Sequence, residues 1–179
     1  MDATGALRGY AWNLLYAEAL ARDLTHTQWT ASGGPGLENH PAWTLGHLCT
    51  GANLLAQDLG LPDDLPAGWA ELFQRLGPGD PRLPVTDPAA YPSREVVLAE
   101  LARQHERVAA AWRATLPSRW AETEEWAFGR DLPSRADVAL FMALTHEALH
   151  LGQLAAWRRA HGLPSALRAL AVARARDSA

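Results

Sequence analysis

An all-α fold, specifically a four-helix bundle with a long crossover between helices two and three, follows from three observations on this 179-residue chain. Strand signals are nearly absent: β-branched clusters are few, apolar and polar residues do not alternate, and no Asn-Gly or Asp-Gly hairpin occurs. Four segments instead carry apolar residues at helical spacing. Finally, seven of the 12 prolines fall between Pro62 and Pro92, where they interrupt helical periodicity and impose a long connection.

The first helix is expected over residues 6–25, with Leu7, Ala11, Leu14 and Ala21 on one stripe. The second covers 39–59, because Asn39-His40-Pro41 supplies a cap residue and an early proline, and Gly60 follows Leu59. Within the crossover, Trp69, Leu72, Phe73 and Leu76 suggest one short helix. A connection of this length can return the chain to the other end of a bundle, so helices two and three are free to run parallel. The third helix spans 93–116, with Leu98, Leu101, His105, Val108 and Trp112 at heptad-like spacing before Pro117. The fourth covers 134–161: Ser134 and Asp137 form a capping-box pattern, and Gly162 with Pro164 stops it. The tail, 163–179, either forms a short Arg-bearing helix or frays.

The whole chain, 1–179, is expected to be one domain, long enough to bury a substantial core. Hydrophobic residues make up 48% and charged residues 20%, with a formal net charge of -4. Nothing in that balance recruits nucleic acid or an anionic membrane. Every basic residue is Arg, and the single Cys excludes an internal disulfide framework and suits a reducing cytoplasm. The start, M-D-A-T-G-A-L-R-G-Y, lacks the pattern of a signal peptide, and the longest apolar run, Val138 to Leu144, is too short to span a bilayer. A cytoplasmic protein is expected.

Residues 145–154 read T-H-E-A-L-H-L-G-Q-L, and His146-Glu147-Ala148-Leu149-His150 satisfies the H-E-x-x-H pattern of zinc peptidases. His146 and His150 lie one turn apart, so both imidazoles can reach one ion. A peptidase then needs a third ligand downstream. The extended metzincin pattern fails, because position 153 is Gln and position 156 is Ala. No Glu follows Glu147, and the only later acid is Asp177. His161 stands about 16 Å further along the axis, too far to share the ion. Without strands there is also no sheet edge to hold a peptide. The peptidase reading is set aside.

The upstream half supplies the missing ligand. In Asn39-His40-Pro41-Ala42-Trp43-Thr44-Leu45-Gly46-His47-Leu48, His47 shares an inward stripe with Trp43, Thr50 and Leu54. On the fourth helix His146, His150, Gln153 and Trp157 share another, flanked by Met142 and Leu149. Two neighbouring helices that aim histidines into a common core can build a three-histidine site.

W-T-L-G-H-L on the second helix, followed much later by H-E-A-L-H-L-G-Q-L and by Gly-Leu-Pro after an Arg-containing helix end, resembles the DinB/YfiT-like superfamily. The resemblance spans most of the chain, and the pairing of G-H-L with H-x-x-x-H-x-G-Q is its most specific part. It implies a four-helix bundle, often a homodimer, that holds a divalent metal on three histidines, corresponding here to His47, His146 and His150. Several members are thiol transferases that join a low-molecular-weight thiol, such as bacillithiol or mycothiol, to an electrophile. Relatives include a mycothiol-dependent isomerase and proteins assigned as metal-dependent hydrolases. A small-molecule substrate and a thiol co-substrate are implied. The competing class is a non-catalytic, metal-stabilised bundle that binds a small molecule or partner.

Three unpaired imidazoles in an apolar core would be costly to desolvate, which favours the metal. Zinc suits the ligands, and nickel, iron and manganese also bind imidazole. Glu147 is a candidate catalytic base, although it stands about 100° around the helix from His146, where an exposed or supporting carboxylate is the rival reading. Gln153 lies one turn beyond His150 and either contacts a ligand or bonds another helix. Trp43 either lines a pocket above the metal or packs in the core. His105, on the third helix, is a fourth ligand or a packed, pocket-lining histidine. Cys49 lies about 200° around the helix from His47 and cannot readily share the metal. His26 and His40, at helix edges, are expected to face solvent.

Overall fold

The computed structural model describes residues 3–77 and 79–177, and apart from one isolated antiparallel bridge, Thr123 to Ser134, every regular element among them is helical. The long helices are α1 (Ala3–Ala21), preceding the single turn α2 (His26–Trp29), and α3 (Pro41–Asp58). The crossover carries α4 (Trp69–Phe73), and α5 (Arg94–Ala114) follows it. The last long helix is α6 (Arg135–Leu140), a π-helical stretch (Phe141–His146) and α7 (Glu147–Ala160) joined end to end; α8 (Ala166–Asp177) closes the chain. Among the described residues, no helix is long and apolar enough to cross a membrane.

Four of these units make the bundle: α5 packs against both α3 and α1, and α7 packs against the same two from the other side. Cys49 of α3 lies opposite Val97 of α5, and Asn53, one turn on, bonds Arg107, so α3 and α5 run in the same direction. Asn53 also donates to Asp63 Oδ1 (2.8 Å) and accepts from Asp64 N (3.1 Å), which fastens the start of the crossover to the bundle.

The helix starts follow their caps. Ser134 and Asp137 form the expected capping box, and Thr25 with Gln28 forms another ahead of α2. At α3 the cap is His40 rather than Asn39. Its Nδ1 accepts from Trp43 N at 3.2 Å and its ring meets the edge of Tyr91. His40 is therefore buried, contrary to the solvent-facing position expected of it. His26 is exposed, as its place at a helix edge suggests.

The phase of α1 also differs from the sequence expectation. Its buried face is Ala6, Tyr10, Ala17, Leu20 and Ala21, while Ala11 is exposed and Leu7 and Leu14 are only partly buried. Tyr10, stacked on His105, sets that phase. On α5 the expected stripe holds for Leu101, His105, Val108 and Trp112, which are all buried, while Leu98 at its start is only partly buried. Leu76 is outside α4 and exposed, because the helix ends at Phe73.

The apolar core has two parts. One gathers Leu20, Leu45, Leu48, Leu101, Leu154 and Trp157 with Phe73 of α4; the other gathers Tyr10, Leu55, Val108, Trp112, Ala139 and Ala143. Arg158, 3% exposed, ties the end of α7 to α1 through Leu20 O (2.7 Å) and Asp23, and to the following turn through Pro164 O (3.0 Å). The tail settles as a helix whose Ala166 and Leu170 are buried in the first part of the core.

Candidate metal centre

His47, His146 and His150 meet where the middle of α3 faces the π-to-α junction. One ligand atom from each ring lies within 4.8 Å of the others. Ring centroids are 4.6 Å apart for His146 and His150, 4.7 Å for His47 and His150, and 5.3 Å for His47 and His146, with each pair inclined by 64–74°. The nitrogens, and not only the ring centres, are thus close enough together to share one ion.

The chain fixes two of the three tautomers. His47 Nδ1 is 2.9 Å from Phe73 O, which can only accept, so Nδ1 carries the proton and Nε2 keeps its lone pair. His150 Nδ1 donates to Gln153 Oε1 at 3.2 Å with the same result. Such outer bonds hold a ligand ring in its coordinating orientation. Gln153 thus acts on the site both through His150 and as part of the cavity wall. The third ring, His146, lies against Gly51, where an added Cβ would meet His146 Cε1 at 3.1 Å.

Burial keeps these rings neutral. It is the largest influence on His47, whose pKa falls to about 3, the charge of His150 adding to the effect and the Phe73 bond opposing it. Burial likewise takes His146 down to about 4, with His150 second, and lowers His150, opposed by Gln153. At neutral pH the cluster is therefore three uncharged nitrogen donors. That donor set fits a divalent ion of zinc type, leaving its charge unneutralised.

The rings line a cavity of about 770 Å³. One wall is α3, with Trp43, Thr50 and Gly51; the facing wall is Met142 and Leu149. Residues 74–77 and 79–83 and the loop carrying Trp126 and Phe128 complete it. Trp43 both packs and lines: it is 2% exposed, stacks on His47 at 4.8 Å and 10°, and borders the cavity. The α3 stripe of Trp43, His47, Thr50 and Leu54 faces this space, while Leu45, Leu48 and Cys49 face the core. Trp157, expected on the histidine stripe, belongs to the core and donates to Ala31 O.

Two candidates lie elsewhere. Glu147 is turned away from the rings, 3% exposed, and accepts from His105 Nε2 at 2.9 Å. Neither residue lines the cavity. A carboxylate about 100° around the helix from His146 cannot face an ion bound by His146 and His150, so Glu147 is not placed as a general base. His105 stacks on Tyr10 with ring centroids 3.8 Å apart and is bonded to Glu147, not to the cluster. Burial raises the Glu147 pKa, with His105 pulling it back.

Several lining residues had no counterpart in the sequence expectations. Gly51 is four residues from His47, and a glycine inside a helix is itself a signal of close approach. Gly46 gives the same signal: a Cβ there would come within 2.5 Å of Phe73 Cδ1 and Cζ. Trp126 and Phe128 form an aromatic triangle with Phe141, at 5.2–5.4 Å between centroids, which anchors their loop to the π stretch. Arg75 lies over the Trp43 ring, 4.2 Å from its centroid, and no period in the crossover could have placed it there.

A family model described as the DinB superfamily matches residues 12–154, a span that contains all three clustered histidines as well as Trp43 and Gln153. Comparison with curated proteins and with solved structures gives no significant match. With a match over most of its length, a helical bundle and the three histidines brought together, the chain belongs to the DinB superfamily.

Proposed function

We propose that this protein is a metal-dependent thiol S-transferase, joining a low-molecular-weight thiol to an electrophile, or a hydrolase if water replaces the thiol. The observation that carries the proposal is a cluster of three neutral imidazoles, two with Nε2 freed by bonds on Nδ1, opening onto a cavity large enough for a small molecule. His47, His146 and His150 would hold the ion, which supplies a nucleophile at neutral pH by lowering the pKa of a thiol or water. In thiol transfer the sulfur bonds to carbon, the leaving group departs with its electron pair, and the thiol proton passes to solvent. The chain's own part is to hold the donors neutral, keep Trp43 flat against His47, and shape the space above them.

The cavity and the ligand count favour catalysis over a structural metal. A closed, four-ligand site would mark a stabilising ion, but His105, the candidate fourth ligand, is bonded to Glu147. Glu147's position likewise argues against a peptidase, which needs that carboxylate at the metal.

The test is metal analysis of untagged protein followed by a conjugation screen, pairing small thiols with a bimane-type electrophile. About one ion per chain and conjugation that disappears on chelation, with the fold intact by circular dichroism, are expected. Equal rates for loaded and stripped protein would refute the reading.

A further inference from the structure

Arg75 stands out among the charged residues of the cavity. Asp80 and Arg82 bind each other through both carboxylate oxygens, and Glu38 accepts from Gly36 N at 2.9 Å. Arg75 has no acceptor among the described residues and no carboxylate within ion-pair distance; its Nη2 is shut off from solvent without a partner. It lies over the face of Trp43, whose own Nε1 is also buried and unpartnered, and the Asp80 carboxylate reaches it through space without bonding it. Of the five donors of the guanidinium, those on Nη2 are the ones withdrawn from water, and leaving them without an acceptor is costly. Burial is the largest influence on its pKa, which it lowers, with the Asp80 charge opposing it. The stack from Arg75 through Trp43 to His47 puts this unmet cation one indole away from the metal cluster.

Much of the cavity's rim is apolar, alongside the Asp80–Arg82 pair and Glu38. Leu54, Leu76, Leu83, Phe128 and Leu149 all line it and are 42%, 91%, 66%, 37% and 60% exposed, respectively. Exposed large apolar residues gathered round one opening mark a binding surface rather than ordinary surface. A ligand that satisfies both features has an anionic group at one end and an apolar body.

We propose that Arg75 recognises a carboxylate on the small-molecule substrate, holding it beside the three-histidine cluster while the apolar rim covers the remainder of the molecule. The planar guanidinium matches a carboxylate in shape and can bind it by two parallel bonds. One unpaired Arg suits a monoanion better than a phosphate, because the cavity's other cation, Arg82, is already occupied. This inference deepens the proposed function, and resting on it, names the substrate class for that site.

The experiment is calorimetric binding, which needs no turnover, of phenylacetate, phenylacetamide and phenyl phosphate to the metal-loaded protein and to the Arg75→Gln and Arg75→Lys variants. Metal content is measured on each. In the parent protein phenylacetate should bind ~10–100-fold tighter than the amide, the range expected of a charged hydrogen bond. Arg75→Gln should reduce that ratio to near one while leaving metal content and amide binding unchanged; Arg75→Lys should retain part of it. A ratio that survives in Arg75→Gln would show that the carboxylate binds elsewhere and would overturn the proposal. So would phenyl phosphate binding tighter than phenylacetate, or no preference in the parent protein. If the parent binds no metal, the proposed function fails on that measurement alone, and the carboxylate ratio still reads the role of Arg75.

Discussion

Replacing Gly46 and Gly152 by alanine makes the same chemical change inside two bundle helices, yet the two should shift stability in opposite directions. In a helix interior, glycine costs roughly 0.5–1 kcal/mol relative to alanine. At Gly152 a Cβ meets nothing within 4 Å, so the alanine variant should gain that amount. At Gly46 the Cβ would come within 2.5 Å of Phe73 Cδ1 and Cζ. Phe73 is 0% exposed and hemmed by Trp69 (5.1 Å) and Tyr91 (6.0 Å), so its ring has little room to retreat. Overpacking of this kind costs typically ~1–3 kcal/mol, which outweighs the helix gain and leaves a net loss of ~1–2 kcal/mol. The displacement has a second effect, since Phe73 O holds the Nδ1 proton of His47. Losing such a supporting bond typically lowers metal affinity ~10–100-fold. Thermal unfolding of metal-free protein should therefore show Gly46→Ala lowered by roughly 2–8 °C and Gly152→Ala raised by roughly 1–4 °C. Titration with metal should show weaker binding only in the former. An unfolding temperature for Gly46→Ala equal to the parent, with metal affinity unchanged, would refute the reasoning.

Three further outcomes are expected. His47→Ala, His146→Ala and His150→Ala should each lose most of the bound metal, whereas His26→Ala and His161→Ala should not; full occupancy in His47→Ala would contradict the three-ligand site. Glu147→Gln should keep its metal and change turnover by less than ~10-fold, because the carboxylate faces His105 and not the cavity; a loss beyond ~100-fold would restore it as a base. His40→Asn should keep the helix cap but flatten the acid limb of stability. Burial lowers the His40 pKa to about 4, so between about pH 6.5 and 4 the unfolded chain takes up a proton that the folded chain refuses. Stability falls as pH drops through that window, by up to ~3 kcal/mol for this residue. Denaturant unfolding of metal-free parent and variant at pH 7 and pH 4.5 measures the difference, and parallel losses would exclude His40 as a source.

The three clustered histidines are legible because each sits at a readable helical phase: His146 and His150 are four apart, and His47 shares its stripe with Trp43 and Thr50. The displacement of Glu147 follows from the same geometry. Other features leave weaker traces. His40 has the sequence position of an edge residue, but Tyr91, far along the chain, closes over it while its ring caps the amide of Trp43. Ala11 fitted an apolar stripe because alanine is tolerated on either face of a helix. Arg75 and Leu83 lie in a Pro- and Gly-rich connection without a period, so nothing local says which way they face. Trp126 and Phe128 depend on a loop folded by distant pairings, Glu124 N with Pro133 O and Arg135 N with Glu122 O.

The wider winding between Phe141 and His146 bears on how this chain tolerates changes of length. A π-helical stretch holds a residue of slack that a regular α-helix would not contain. Deleting one residue there would let the helix close into uninterrupted α form with its backbone bonds intact. It would also turn everything before the deletion by about 100° relative to His146 and His150. Phe141 would swing round with the α6 half, carrying the aromatic loop packed on it, while His146 and His150 kept their phase with α7. Length variation in this helix is therefore filtered by the relative phase of its two halves. In the crossover the corresponding filter is Phe73, whose carbonyl must still reach His47 after any insertion or deletion.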